Sequence, residues 1–117
     1  KPIFDGVAEN VLARRAMQFP ELRRIYLESL ARAAETAGGP GGWMDQEINR
    51  LYYQVRDFAR LDPNKQCSTA GVIHSCGAED FEQAVDHLRL FVRERAALVT
   101  AEAMAAGYQQ PPSSSGF

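Results

Sequence analysis

Pro20 divides the stretch from Asn10 to Leu30 and limits what that stretch can fold into. Proline has no amide hydrogen and a fixed φ, so it suits the first turn of a helix and breaks one in the middle. The residue before a proline avoids the helical region. The chain is therefore expected to form a short helix ending near Gln18 or Phe19 and a longer one starting at Pro20. Asp5 or Gly6 is a candidate cap for the short helix, with Glu9 in its first turn and Val7, Val11, Leu12, Ala16 and Met17 on its apolar side. In the long helix Glu21 falls where the dipole favours negative charge. Leu22, Ile25, Tyr26, Ser29, Leu30 and Ala33 repeat at helical spacing and form its expected inner stripe.

Asn10, Leu12, Pro20, Glu21, Leu22, Arg23, Tyr26, Leu27 and Leu30 also carry a resemblance. In this order, with further amphipathic helices behind them, they resemble the C-terminal helical region of the spore coat protein H-like (CotH) kinase family, over about residues 5 to 99. The family often has proline after the asparagine; here Val11 stands instead. The resemblance implies an atypical protein kinase that uses ATP and a divalent metal on secreted or coat proteins. It places the nucleotide- and metal-binding residues upstream of the matching part, and no matching acidic metal motif occurs in these residues. It therefore implies a chain without catalytic or cofactor-binding residues of its own, whose partner is an upstream kinase core or another protein surface. A start at Lys1 instead of methionine fits a fragment or a processed terminus.

The rest of the chain reads as helices and loops. Gly38 to Gly42, with Pro40, ends the second helix near Ala37, Gly38 supplying a left-handed cap. No Lys-Ser/Thr follows these glycines, so a phosphate-binding loop is not supported. A third helix is predicted from Trp43 to Leu61, with Met44, Ile48, Leu51, Tyr52, Val55, Phe58 and Ala59 inward. Trp43 is expected to cap the core. A fourth helix is predicted from about Glu79 to Ala106, with Phe81, Ala84, Val85, Leu88, Phe91, Val92, Arg95, Leu98 and Val99 inward. Residues 107–117 form a Pro/Ser-rich segment expected to be disordered. No strand is predicted. The expected fold is all-α: one helical domain over residues 1–106, a small bundle of three main amphipathic helices plus a short N-terminal helix.

Residues 62–77 form a long loop holding both cysteines, Cys67 and Cys76. Long loops are usually functional, disordered or tied down. One reading is a disulfide, worth about 2 to 3 kcal/mol by loop-closure entropy; the other is two unpaired thiols. A disulfide implies an oxidising compartment, in accord with the secreted or surface setting that the resemblance implies. Cys67, His74 and Cys76 with Asp62 could in principle ligate a metal, but zinc sites usually show closely paired cysteines. A Cys–His catalytic pair lacks an orienting third residue. His87 reads as a solvated helix residue. Asp45 and Glu47, two apart on a helix, point away from each other. A net charge of −2 argues against nucleic acid. Glu9, Glu21 and Glu28 dilute the Arg14-Arg15 and Arg23-Arg24 pairs. No apolar run is long enough to span a membrane. A self-contained helical module that binds a partner helix or peptide is the other functional expectation.

Overall fold

Asn10 sets where the first helix starts. In a computed structural model, which describes residues 1–112, its extended backbone and its side-chain oxygen cap α1 (Val11–Ala16) by accepting from the Ala13 amide. Residues 3–9 are turns, so the expected cap at Asp5 or Gly6 is displaced by a better one. α2 (Pro20–Ala37) opens on the proline, α3 spans Trp43–Leu61, and α4 spans Ala78–Ala105. Gly38 has a left-handed φ of 73°, and a Cβ on it would lie 2.9 Å from the Gly42 Cα. Only glycine allows that turn to close.

The all-α expectation is corrected between α3 and α4. β1 (Gln66–Thr69) and β2 (Val72–Ser75) form a two-stranded antiparallel sheet in the register Cys67 to His74 and Thr69 to Val72. The two-residue connection has positive φ at both Ala70 (51°) and Gly71 (82°). That is the backbone of the tight turn whose twist matches a hairpin. Its usual signal is Asn-Gly or Asp-Gly; Ala-Gly disguises it. Ser68, Thr69, Val72 and Ile73 supply the β-branched or small polar residues that an exposed strand accepts.

The chain divides into two units. One comprises residues 1–37 and the chain from Arg95 onward; the other is residues 38–94. In the first, Ile3, Leu27 and Ala103 form the buried cluster, with Phe4, Tyr26, Leu30, Val99 and Tyr108 packed around it. The Ile3 amide donates to Glu102 at 2.8 Å, and the Tyr26 hydroxyl donates to the Ile3 carbonyl, tying the N-terminal segment into that cluster. Arg23 lies over the Phe4 ring at 4.9 Å. The buried residues of α2 are Leu27, Ala31 and Ala34. The expected stripe is corrected accordingly: Leu22 and Ile25 are exposed, while Leu27, Ala31 and Ala34 are buried in their place. Residues 107–112 have no regular secondary structure, yet Tyr108 donates its amide to the Ala103 carbonyl and packs on the cluster. Residues 113–117 of the expected disordered segment lie outside the described residues.

Candidate functional site

In residues 38–94 the helix pair is held by polar side chains. Asp45, in the first turn of α3, is only 5% exposed. It accepts from the Gly41 amide at 2.8 Å and from Arg93 of α4 at 3.1 Å. The Gly41 amide, supported by Arg93, holds its carboxyl below the usual carboxylate range, against the opposing effect of burial. One turn on, Asn49 accepts from Arg89 at 3.1 Å. Another turn on, the Tyr52 hydroxyl donates to Glu82 at 2.9 Å, with the Arg89 guanidinium 4.6 Å from the Tyr52 ring centre. Phe81 stacks on the same ring. Arg60 closes the seam by donating to Glu82 at 2.7 Å. Arg60 and then Tyr52 hold Glu82 below its ordinary value, and the bond to Glu82 raises Tyr52.

The seam corrects the inner stripes expected of α3 and α4. Asp45, Asn49, Tyr52 and Arg60 bond across to α4 on helical spacing, and only Tyr52 belongs to the apolar set. Met44 and Leu51 stand one position before seam residues and are exposed, as are Val55 and Phe58, the latter at 79%. On α4, Leu88 is exposed one position before the seam residue Arg89, whereas Val92 is buried. Residues 38–94 thus leave Leu51, Val55 and Phe58 of α3 and Leu88 of α4 exposed. Trp43, expected in the core, is 62% exposed. A polar repeat at 45, 49, 52 and 60 answered by charges at 82, 89 and 93 is the signal that would have found the seam.

The disulfide is formed: Cys67 and Cys76 are bonded, with their Cα atoms 5.8 Å apart. Each sulfur is bonded to the other, so neither is a free thiolate for a metal or a nucleophile. His74 lies opposite Cys67 in the sheet and is exposed. Among the described residues no group of three His, Cys, Asp or Glu side chains is placed to hold a metal ion. A cleft of about 350 Å³ lies between the hairpin base and the helix ends, lined by Cys67, Cys76, Asp80, Phe81 and Ala59. The arginine pairs are engaged separately. Arg14 donates to the Ala8 carbonyl, Arg24 pairs with Glu28 at 2.8 Å, and Arg23 reaches the Ala106 carbonyl. His87 is exposed on α4.

What this arrangement offers is surface: an apolar helical face and a clamped hairpin on a polar-zipped helix pair. Among the described residues no helix is long and apolar enough to cross a membrane. No protein-family model matches the sequence, and comparison with curated proteins and with solved structures likewise finds no match.

Proposed function

We propose that this chain is the helical C-terminal region of a CotH-like atypical protein kinase. It supports an ATP- and metal-dependent catalytic core encoded upstream and performs no chemistry alone. The observation that carries this reading is the uncovered apolar surface. Leu12, Phe19, Leu22 and Ile25 are exposed in one unit, and Leu51, Val55, Phe58 and Leu88 in the other. Large contiguous apolar patches on a protein surface usually meet another protein surface. The residues of the resemblance also have local roles that suit it: Asn10 caps α1, and Pro20 opens α2 with Glu21 in its first turn. The disulfide fits an oxidising setting, and a secreted or cell- or spore-surface protein is the location we propose.

The second reading is a self-contained module that binds a partner protein through the same apolar faces; the polar seam favours it, because the helix pair holds together without burying its stripes. Reading the coding sequence upstream of Lys1 separates the two. A nucleotide-binding core there supports the kinase reading, and deleting residues 1–106 from that parent should lower its melting temperature and its autophosphorylation. A start codon immediately before Lys1, or a core whose stability and activity survive the deletion, overturns it in favour of the module.

A further inference from the structure

We propose that the outer edge of β2 is a docking site for an extended, uncharged segment of another polypeptide, which adds to the hairpin as a third strand. The hydrogen-bonding register defines the site. The Cys76 amide donates to the Lys65 carbonyl at 3.3 Å, so residues 65 and 76 are a hydrogen-bonded pair. Bonded and non-bonded pairs alternate in an antiparallel ladder. Cys67 with His74 and Thr69 with Val72 are then the bonded pairs, while Ser68 with Ile73 and Gln66 with Ser75 are not. The N–H and C=O groups of Ile73 and Ser75 therefore point away from β1. Among the described residues no backbone bond joins either of them to another segment. Donors and acceptors repeating every second residue along an extended chain match one ligand chemistry, another extended chain.

Three features make this edge receptive. Natural edges are usually blunted by lysine, proline, a bulge or a covering element. Residues 66–75 contain no Asp, Glu, Lys, Arg or Pro, and Val72 to Ser75 are all exposed. An isolated two-stranded hairpin is marginal in water, but the Cys67–Cys76 bond closes the base of this one, so its strands are ordered before a ligand arrives. The side chains bordering the β2 edge are Val72 and Ile73, 66% and 70% exposed, whereas β1 presents Gln66 and Ser68. The β2 edge thus adds apolar contact on both faces of an incoming strand, which makes a β-branched, uncharged segment the fitting partner.

The test is amide hydrogen exchange by NMR on the full chain, with a capped peptide of alternating threonine and valine, about eight residues long. Exchange at Ile73 and Ser75 should slow by about tenfold or more at saturating peptide, with the helical amides unchanged. Ile73→Pro removes an outward donor without touching an inter-strand bond and should abolish the effect. Ser68→Pro, on the other edge, should retain it. The double variant Cys67→Ser/Cys76→Ser should bind about tenfold more weakly while keeping its helical circular dichroism. Three results overturn the proposal. One is slowing at Gln66 and Ser68 instead, and another is no slowing at millimolar peptide. The third is protection that grows with protein concentration without peptide, which would mean that copies of this chain pair with each other.

Discussion

The two units hold their helices together by opposite means. Residues 1–37 with the end of α4 use a small apolar cluster, Ile3, Leu27 and Ala103, sealed by the hydroxyl of Tyr26 and the carboxylate of Glu102. Residues 38–94 use a ladder of polar pairs from Asp45–Arg93 to Arg60–Glu82 and leave apolar stripes outside. Apolar packing is non-directional and tolerates sliding, whereas hydrogen-bonded pairs specify register. The contrast teaches that an apolar periodicity marks a helix face but does not say what covers it. In the second unit the amphipathic face is available to a partner because the helix pair does not need it.

The sharpest way to break this comparison is to remove the centre of the apolar cluster. Leu27→Ala should destabilise by about 2 to 4 kcal/mol in urea denaturation, since it deletes buried methyl groups and leaves a cavity. A loss much smaller than that would mean the cluster collapses around the gap. Next in size is reduction of the disulfide. It should release about 2 to 3 kcal/mol of constraint, confined to the hairpin. Amide exchange across residues 66–75 should accelerate while helical circular dichroism stays constant; a loss of helix would mean that the hairpin supports α3 and α4.

The polar seam makes a pH prediction. Asp45 and Glu82 are both held below their ordinary values of 3.8 and 4.5. A carboxylate depressed in the folded state contributes stability that is fully present above its unfolded value and disappears as pH falls through its folded value. Residues 43–61 should therefore loosen below about pH 4, seen as faster amide exchange, and Asp45→Asn should lower the melting temperature by several degrees at pH 7 while flattening the acid dependence. An unchanged acid profile would mean that Asp45 is not the titrating group. The smallest effect is expected at the apolar face. Phe58→Ser, at an exposed position, should change the stability of the chain alone by less than about 0.5 kcal/mol. A larger loss would show that Phe58 is covered in solution.

The positions of α2 to α4 were legible because their signals are local, whereas α1, expected to end near Gln18 or Phe19, is confined to Val11–Ala16. Pro20, the Gly38 to Gly42 turn and the long periodic runs placed α2 and α3 at their observed bounds and α4 within a residue. The hairpin was not legible, because its turn uses Ala70 where asparagine or aspartate is the usual signal. The disulfide was readable from two cysteines sharing a loop. The seam escaped notice because Asp45, Asn49 and Arg60 each look like ordinary surface residues until α4 supplies their partners.

By itself the sequence determined where α2, α3 and α4 run, the glycine turn between α2 and α3, and that Cys67 could reach Cys76, since glycines, proline and short separations act within a few residues. Only the tertiary structure decided which face of each helix is buried. That choice depends on shape and charge across elements far apart in the chain. Arg93 makes Asp45 a buried residue, Ala103 makes Leu27 the centre of a core, and the pairing of α3 with α4 leaves Phe58 outside.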